Sequence, residues 1–444
     1  MVTEDKQKRY VVGIGEVLID QFVADKHGKK KQKLGGAPTI FAYHAAQSGF
    51  DGMIISALGK KNGIIDETGK KILSELKRLG LEYRCDGIEG LRSGVVIVND
   101  KDKNNPKYTI KKDDAWSAIP HYKDLIEIAK NTCAVYFGPL ASYCGNQKHI
   151  SKKTIDSFLK AVPKNCYKIF DVNLRSNHNE NLYSDELIKE YIKKCNVLKV
   201  NMEELDYVCN LLSIISTNER KRCTELLKMY PKIKYLIVTL GADGSTICWW
   251  DKKNKDLSFS TLGMPCKVKN TVGAGDALAG AFIGEIMKGK SEVGAHHSAV
   301  QRATIVCKAG KSMPNISRQD IFISYSRADS KIVIDVFCKC FTDKGWSVWI
   351  DKEGIDYGEH FPLKIEQAIR NSNVVVYFSS KDANKSEYVT KEIKFAHANQ
   401  KPIIPIKLDD EPFNKAVESF FKDINYMEYA LSKLISSLNK CINY

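Results

Sequence analysis

The sequence lacks any apolar run of the ~18 residues that a bilayer span requires, and its first ten residues, MVTEDKQKRY, contain no apolar signal-peptide core. Its 13 cysteines include no C-x-x-C pair and no metal-ligand spacing. This argues against a disulfide framework and against a zinc module. We therefore expect reduced, buried thiols in a cytoplasmic protein that has no contact with a membrane.

Basic charge is unevenly distributed along the 444 residues, a length that suggests two or three domains. The segment from Arg318 to the end has 18 basic and 18 acidic residues, so the whole excess of +15 lies before it. This difference suggests two domains of different origin. The excess of basic residues either attracts anionic substrates such as nucleotides or simply forms an ordinary lysine-rich surface. Because aromatic residues are not interleaved with it, nucleic acid is disfavoured as a partner.

The stretch Asn270–Asp276 reads NTVGAGD, and an apolar, helix-patterned run, Ala277–Met287, follows directly. A glycine turn that opens into a helix leaves backbone N–H groups at the positive end of the helix dipole, which suits a phosphoryl group. Asp276, at the start of the helix, is placed to accept a proton from a nearby hydroxyl. The alternative is a plain glycine turn in which Asp276 is the N-cap.

Strand and helix patterns alternate through the first two-thirds of the chain, which predicts a parallel α/β sheet with helices on both faces. Tyr10–Ile19 is predicted to be a buried first strand that ends at Asp20, where ligands gather in such sheets. Hairpins are predicted at Lys26–Lys33 and around Asp100–Pro106. The later strands are predicted at Ala134–Phe137, Tyr167–Asp171, Asn196–Val200 and Tyr235–Thr239.

NTVGAGD resembles the C-terminal signature of the PfkB (ribokinase-like) carbohydrate kinases, and Leu34–His44, LGGAPTIFAYH, resembles their N-terminal signature in the fructokinase-like branch. The resemblance implies a ribokinase-like doubly wound sheet with a β-lid over residues 1–316. It also implies transfer of phosphate from ATP, with Mg²⁺, to a sugar or nucleoside. Asp276 would be the catalytic base, and the anion hole would consist of Gly273, Ala274 and Gly275.

The same resemblance implies roles for residues at the strand ends. The lid would cover the substrate and mediate self-association. Judged from the residues alone, without the family resemblance, Asp20 would be a turn carboxylate. Glu204, in the N-x-x-E motif, would then be an exposed acid at the start of a helix. The implied acceptor contacts are Asp20, Gly35, Gly36, Asn173 and Arg175, the nucleotide contacts are Asn201, Thr239, Gly241 and Gly244, and the metal residue is Glu204.

Two features depart from the family pattern. Ile40 occupies the position where the family usually has an asparagine that binds the sugar, and isoleucine cannot form a hydrogen bond. The loss of the asparagine's hydrogen bond would weaken acceptor binding by roughly 1–3 kcal/mol. The loop Gly59–Asp66 is also longer than the usual turn. The phosphate side thus matches the family, whereas the acceptor side is altered and fructose is in doubt.

A second, smaller alternation of strands and helices follows Pro314–Gln319, a connection too short for a flexible tether, so we expect the two domains to be coupled. The pattern predicts a small doubly wound α/β unit. Its first strand is predicted within Asp320–Asp329, where it runs into a polar turn and helix, and the later strands are predicted at 346–351, 373–379 and 402–408. Its helices are predicted at Ile332–Phe341, Phe361–Arg370, Tyr388–Ala398 and Ala430–Leu438.

This segment resembles a bacterial TIR domain with a flavodoxin-like fold over 319–444. FISYSRAD resembles the TIR opening, Asp351–Gly358 with Phe361 resembles the BB loop, and Ser386–Glu392 resembles the helix that carries the catalytic glutamate of NAD⁺-cleaving members. The resemblance implies catalysis by Glu392 after self-association. The implied NAD⁺ contacts are Ser324, Tyr325, Ser326, Arg327 and Tyr388. The alternative is an adaptor in which Glu392 is a solvated helix acid.

The leading hypothesis is an ATP-dependent sugar or nucleoside kinase fused to an NAD⁺-cleaving signalling or immune effector. A second hypothesis makes the first domain a ligand sensor with little turnover, since Ile40 alters its acceptor side. A third keeps an active kinase and makes the TIR domain an adaptor.

Overall fold

A computed structural model describes residues 8–23, 31–99, 107–144, 148–177, 180–251, 256–314, 319–343, 346, 348–350, 365–366, 368–369, 372–399, 401–421, 434–435 and 437–438. The chain divides into two compact units, Met1–Pro314 and Asn315–Tyr444. No described helix combines the length and apolar character needed to cross a membrane.

The first unit contains the following described strands: β1 (Tyr10–Ile14), β2 (Leu18–Phe22), β3 (Gln32–Gly35), β4 (Asp51–Lys61), β5 (Ile64–Ile65), β6 (Glu82–Glu89), β7 (Gly94–Asn99), β8 (Lys107–Thr109), β9 (Thr132–Phe137), β10 (Tyr167–Asp171), β11 (Ser176–Asn177), β12 (Glu180–Asn181), β13 (Val197–Asn201), β14 (Tyr235–Thr239), β15 (Ser245–Asp251) and β16 (Asp256–Leu262).

Its described α-helices are α1 (Ala37–Ala46), α2 (Glu67–Arg78), α3 (Leu125–Lys130), α4 (Leu140–Tyr143), α5 (Lys148–Ala161), α6 (Asp185–Lys194), α7 (Met202–Leu211), α8 (Glu219–Met229), α9 (Ala274–Met287) and α10 (Glu292–Ala309). Short 3₁₀ turns lie at Ala115–Ala118 and Gly241–Asp243.

The central sheet has the strand order β16-β15-β14-β13-β10-β9-β1-β4-β5, with β6 paired to β4. The strands from β14 across to β4, and β6, run parallel, whereas β5, β15 and β16 are antiparallel to their neighbours. The parallel strands therefore end along one edge, and that edge carries the polar turns. The predicted doubly wound sheet is confirmed.

Side chains that alternate along each parallel strand bury two separate cores, as a period of two requires. Val12 of β1 and Phe170 of β10 face the core beneath α3, α5, α6, α7 and α8. Val11 and Ile169, one residue earlier on the same strands, face the core beneath α1, α9 and α10. Helices thus cover both faces of the sheet.

A second sheet, the lid sheet, has the order β3-β2-β7-β8. Its presence corrects the prediction of one strand over Tyr10–Ile19. The chain leaves the central sheet after Ile14, turns at Gly15 (φ 148°), and continues as β2 in the lid sheet. Asp20 accordingly lies within β2 rather than after the first central strand. The predicted hairpin residues 24–30 and 100–106 lie outside the described residues.

In the described residues of the second unit, four parallel strands form a sheet in the order β18-β17-β19-β20. Helices pack against both of its faces. Its strands are β17 (Gln319–Ser324), β18 (Val348–Trp349), β19 (Ser372–Ser379) and β20 (Ile403–Lys407). The helices of this unit whose bounds the structure describes are α11 (Ser330–Ile332), a π-helical turn Val333–Cys338, α12 (Lys339–Asp343), α13 (Lys381–Lys385) and α14 (Glu387–Ala398), with 3₁₀ turns at Arg327–Asp329 and Glu418–Phe421.

Candidate active sites

The glycine turn before α9 has the geometry of a helix-capping turn. Gly273 is the N-cap residue, with a left-handed φ of 80°, and the Val272 amide donates to Asn270 Oδ1 at 2.7 Å. A Cβ on Gly273 would stand 2.7 Å from the Ser312 Cβ, so glycine is required. Asp276 lies in the first turn of α9 and is not the N-cap, which removes the simple capping alternative.

The first-turn amides of α9 lie at the positive end of the helix and have no carbonyl partner within it. In the predicted anion hole, Ala274 differs from its neighbours because its amide donates to the Thr271 carbonyl at 3.0 Å. Gly275 is the second residue of the helix, and a Cβ there would lie 3.3 Å from Lys199 Cε. Of the three predicted residues, Ala274 is the one whose amide is used within the turn.

A buried charge network connects Asp276 with the ends of three neighbouring strands. Tyr136 of β9 donates to Asp276 Oδ1 at 3.2 Å and also to Asp171 Oδ2 of β10. Lys199 of β13 lies 2.6 Å from Asp171 Oδ2 and 3.6 Å from Asp276 Oδ1. Asp171 is fully buried. A single lysine thus faces two carboxylates at the floor of the site.

The network holds opposite charges together in a desolvated setting. Burial raises the pKa of Asp276 to about 6, with Lys199 acting to lower it and Asp171 acting to raise it further. Burial alone would lower the pKa of Lys199, but the carboxylates of Asp171 and Asp276 outweigh that effect and raise it above its ordinary value. Lys199 is therefore cationic, and Asp276 is mostly ionised at pH 7.

A pocket lies in front of Asp276, between the end of the central sheet and the lid sheet. Burial raises the pKa of Asp20 and of Glu16 to about 7 in each case. A Cβ on Gly35 would stand 2.3 Å from Asp20 Oδ2, so the carboxylate fits only against glycine. The pocket is lined by Glu16, Leu18, Asp20, Gly36, Ala37, Ile40, Val96, Tyr108, Ile110, Leu140, Asn173, Arg175, Val272, Gly273 and Asp276.

Arg175 is the cation of this pocket. Its guanidinium lies 4.6 Å from the centre of the Tyr108 ring, which belongs to β8 of the lid sheet. Burial alone would lower the pKa of Arg175, but nearby acidic groups, Tyr108 first, raise it. Asn173 approaches the pocket with a left-handed φ of 35°. The predicted acceptor residues Asp20, Gly36, Asn173 and Arg175 therefore line one cavity, which Gly35 adjoins.

The two departures from the family pattern have clear structural positions. Ile40 lies in α1, is 3% exposed and lines the pocket. The long Gly59–Asp66 loop is a tight hairpin between β4 and β5, in which Asn62 (φ 52°) and Gly63 (φ 78°) form the turn. Asp66 accepts from the amides of Gly69 and Ser93, so its carboxylate supports local structure.

The predicted nucleotide residues lie beside the glycine turn. Asn201 and Thr239 are the last residues of β13 and β14 and are paired in register. The Thr239 Cγ2 would lie 3.8 Å from a Cβ on Gly275. Gly241 (φ 62°) and Gly244 (φ 94°) shape the 3₁₀ turn that follows. These residues therefore lie next to the N-terminal end of α9, whose first-turn amides suit a phosphate group.

Glu204, the predicted metal residue, is a buried member of a capping box. Its Oε2 accepts from the Asn201 amide at 2.8 Å, while its Oε1 accepts from the Leu174 amide at 3.0 Å. Burial raises the pKa of Glu204, and Lys199 acts to lower it. Within the described ranges, no group of three or more His, Cys, Asp or Glu residues could hold a metal. Mg²⁺ keeps waters and is usually bound by one or two carboxylates together with substrate phosphates, so a single carboxylate beside the nucleotide residues does not conflict with its binding.

In the second unit, Glu392 lies on α14 against the end of β17. Ser324, fully buried, donates to Glu392 Oε2 at 2.6 Å. Tyr388 lies one turn earlier on the helix and is 59% exposed. The structure therefore brings Glu392 together with Ser324, whereas Tyr388 extends toward solvent.

The turn after β17 carries the other predicted NAD⁺ contacts. Tyr325 follows the strand directly, and Ser326 Oγ accepts from the Ala328 amide at 3.4 Å as the cap of the turn Arg327–Asp329. Asp329 in turn accepts from Ser380 Oγ at 2.6 Å. The predicted BB loop and Phe361 lie outside the described residues.

Family comparisons bear on both units. The model of the pfkB family of carbohydrate kinases matches residues 8–318. The chain belongs to the PfkB family of carbohydrate kinases. The TIR domain model matches residues 321–434, so a TIR domain follows the PfkB domain. Both family predictions are confirmed.

Individual relatives agree with this division. The PfkB part is 24% identical over 294 residues to an ATP-dependent 6-phosphofructokinase of Thermoanaerobacterium thermosaccharolyticum, covering 64% of this chain and 84% of that protein. The TIR part is 30% identical over 98 residues to the "Probable 2' cyclic ADP-D-ribose synthase TcpO" of Methanobrevibacter olleyae, covering 21% of this chain and 29% of that protein. A Vibrio cholerae fructokinase structure with fructose, ADP and calcium superposes with a TM-score of 0.55 at 18% identity, over 69% and 96% of the two chains.

Three residues of the PfkB site were missed from the sequence. Lys199 and Tyr136 reach Asp276 only because β9, β10 and β13 are neighbours, an order that the sequence does not state. A charged residue inside the apolar run 197–200 is the signal that would have pointed to Lys199. Glu16 was hidden because the break after Ile14 was not recognised.

Proposed function

We propose that the PfkB domain transfers the terminal phosphoryl group of ATP to a hydroxyl of a sugar or nucleoside, and that the TIR domain cleaves NAD⁺ as a signalling or immune effector. The kinase proposal rests on the position of Asp276, which follows the Gly273 turn and lines the same pocket as Asp20 and Arg175. We place this activity in the cytoplasm, with self-association through the TIR domain and the lid sheet.

In the transfer step, Asp276 accepts the proton of the acceptor hydroxyl as that oxygen bonds to the terminal phosphorus of ATP. The bond between phosphorus and the bridging oxygen breaks, and ADP leaves with its electron pair. Amides at the start of α9 face the charge on the transferring group. Lys199, 3.6 Å from Asp276 Oδ1, keeps the base ionised before the step.

Glu204 is the residue that would hold Mg²⁺ in this site, together with the phosphates of ATP. When bound, the ion would supply neutralisation of phosphate charge. The lid sheet covers the acceptor pocket and limits the access of water, which would otherwise compete with the acceptor hydroxyl.

The acceptor pocket favours a polyhydroxylated ligand. Two buried carboxyl groups, Asp20 and Glu16, can accept hydrogen bonds from hydroxyls, and Arg175 can donate to a ring or carbonyl oxygen. Ile40 replaces one polar contact by an apolar one. This favours an acceptor with an apolar edge or a missing hydroxyl at that point, such as a deoxy sugar or a nucleoside.

The kinase proposal is tested by acceptor-dependent formation of ADP across a panel of sugars, deoxy sugars and nucleosides. We expect at least one acceptor to support turnover by the wild type. Asp276→Asn should lower that rate by roughly 10²- to 10⁴-fold, the range for loss of a general base. The absence of turnover with every acceptor would contradict the proposal.

The TIR proposal rests on Glu392 and its contact with Ser324. As the bond between nicotinamide and ribose breaks, nicotinamide leaves with the electron pair and the ribose carbon gains positive charge. A carboxylate held against the ribose stabilises that charge, and water or a hydroxyl of the same molecule then bonds to the carbon and releases a proton. The name of the archaeal TcpO relative supports NAD⁺-related chemistry.

Nicotinamide release by the full chain tests this proposal. Glu392→Ala should abolish release, while Glu387→Ala is the matched control. Glu387 lies on the same helix, is exposed and pairs only loosely with Lys391 at 3.6 Å. Equal rates in the wild type and Glu392→Ala would remove the catalytic role and leave an adaptor.

One observation favours a second candidate function, a ligand sensor that controls the TIR domain. The last segment of the PfkB unit, 310–314, is held against the lid sheet, α1 and the Gly273 turn. Lys33 of the lid sheet donates to the Gly310 carbonyl at 2.5 Å. His44 and Tyr43 of α1 bind the carbonyls of Ser312 at 2.8 Å and Pro314 at 2.5 Å.

This segment is the chain that leads directly into the TIR domain, and Ser312 packs against the Gly273 turn. Ligand binding that shifts α1 or the turn would therefore act on the connection. Nicotinamide release should change when ATP and an acceptor are added, and Tyr43→Phe should reduce the change. Tyr83→Phe, which removes the same hydroxyl from β6 instead of α1, is the control. A rate that is independent of both ligands would contradict the sensor function.

A further inference from the structure

A broad groove of about 1040 Å³ lies far from the acceptor pocket, at the opposite edge of the central sheet of the PfkB domain. It is formed where β10, β13 and β14 begin, whereas the candidate kinase site is formed where the same strands end. Its lining residues are Asp156, Leu159, Lys160, Lys164, Lys168, Lys193, Lys194, Cys195, Asn196, Pro231, Lys232 and Lys234.

Seven lysines face one aspartate in this lining. Two of the lysines are engaged: Lys194 pairs with Asp156 and Glu190 at 2.7 and 2.5 Å, and Lys234 lies 5.1 Å from the Tyr167 ring centre. The other five form no ion pair with an acidic side chain in the part of the chain that the structure describes. These are Lys160, Lys164, Lys168, Lys193 and Lys232.

Helix dipoles account for only part of this charge. Helices α5, α6 and α8 end near the groove, and each helix end carries about half a negative charge. The sum of about one and a half negative charges is small beside five lysines without ion pairs. Cations that converge on one concave surface repel each other in the free protein. A bound anion would relieve that repulsion.

We propose that this groove is a binding site for a small, multiply phosphorylated anion, the chemistry shared by inorganic tripolyphosphate and nucleoside triphosphates. Lysine ammonium groups bind phosphate as mobile point charges, which suits a flexible phosphate chain. The groove volume is in the range of small-molecule sites. Single-stranded nucleic acid would require a series of aromatic stacking platforms, and the described lining residues include no aromatic side chain. The ring of Tyr167, the residue before Lys168, is covered by Lys234.

The site is positioned to influence the catalytic edge. Lys199 and Asp171 are three residues along β13 and β10 from Asn196 and Lys168 at the groove. At about 3.3 Å per residue, this is a distance of roughly 10 Å along the strands. Binding at the groove and binding at the kinase site thus share the same strands but use no common side chain.

The test is calorimetric titration of the full chain with inorganic tripolyphosphate at low ionic strength. The groove variant is Lys164→Glu with Lys193→Glu, and the matched control is Lys77→Glu with Lys221→Glu. All four lysines are exposed and form no ion pair with a described residue. The control should bind like the wild type, and the groove variant should lose one site or bind at least about tenfold more weakly.

A second variant, Lys164→Gln with Lys193→Gln, removes charge without reversing it and should give a smaller loss in the same direction. ATP titrated in the same way should show a groove-dependent component of similar size. Tripolyphosphate binding that is identical in the groove variant and the control would overturn the proposal. A single-stranded oligonucleotide that binds the groove more tightly than tripolyphosphate would also overturn it, in favour of nucleic acid.

Discussion

Replacing Lys199 by methionine should move the pH dependence of phosphoryl transfer toward alkaline pH. The change removes the cation that lies 3.6 Å from Asp276 Oδ1 and keeps a side chain of similar length. With an effective dielectric constant of about 20, two unit charges at this distance attract by about 4.6 kcal/mol. Solvent in the pocket screens part of this attraction. A remaining attraction of about 3 kcal/mol corresponds to a rise of roughly two units in the pKa of Asp276 when Lys199 is removed.

The sign follows from the role of the base. Asp276 must be ionised to accept a proton, and its pKa of about 6 leaves it about nine-tenths ionised at pH 7. Without Lys199 the protonated form is favoured, so only about one-tenth would be ionised at pH 7. Therefore kcat should fall about tenfold at pH 7 and recover near pH 9. The measurement is kcat from pH 5 to 9.5 with saturating ATP and acceptor.

Asp171 provides the control for this experiment. Lys199→Met leaves Asp171 buried without its cation, which alone can destabilise the fold by about 3–5 kcal/mol. The double variant Asp171→Asn, Lys199→Met removes both the charge that lowers the pKa of Asp276 and the charge that raises it. In the double variant, the acid limb of the kcat profile should therefore return to near pH 6. A single variant that loses equal activity at every pH would refute the reasoning.

Four further predictions concern the two sites. Because burial raises the pKa of Asp20 and of Glu16 to about 7, and the ionised carboxylates accept hydrogen bonds from the acceptor, KM for the acceptor should fall as the pH rises from 6 to 8, and Asp20→Asn should reduce that variation to the part that Glu16 contributes. Gly35→Ala would place a Cβ 2.3 Å from Asp20 Oδ2, so KM for the acceptor should rise while KM for ATP stays unchanged. Ile40→Asn should strengthen binding of a fully hydroxylated sugar by about tenfold, measured by calorimetry. Ser324→Ala removes the 2.6 Å hydrogen bond to Glu392 and should lower NAD⁺ cleavage by about tenfold, measured as nicotinamide release.

Strand and helix alternation was sufficient to predict both α/β sheets, because buried parallel strands are short apolar runs with polar ends. Tyr167–Asp171 and Tyr235–Thr239 match β10 and β14 in the structure. The failure at Tyr10–Ile19 has a local cause. That run is apolar except for Glu16, and the chain leaves one sheet for the other at Gly15, which has a φ of 148°.

Site residues that belong to a family motif could be read from the sequence, whereas residues that reach the site through the order of the strands could not. Asp276 and Asp20 both reach the acceptor pocket. Lys199 depends on the order of the strands, and the lysine groove depends on three separate segments that meet at one edge. Spatial convergence of this kind has no periodic signature in the sequence.

Direct observation of phosphoryl transfer is the measurement that bears most closely on the central claim, that Asp276 at the start of α9 takes a proton while the adjacent turn holds the migrating phosphoryl group. The full chain is incubated with ATP and an acceptor from the panel, and the phosphorylated acceptor is followed by ³¹P NMR. The account predicts product with the wild type and a rate lower by roughly 10²- to 10⁴-fold with Asp276→Asn. Product formed at the wild-type rate by Asp276→Asn would contradict it.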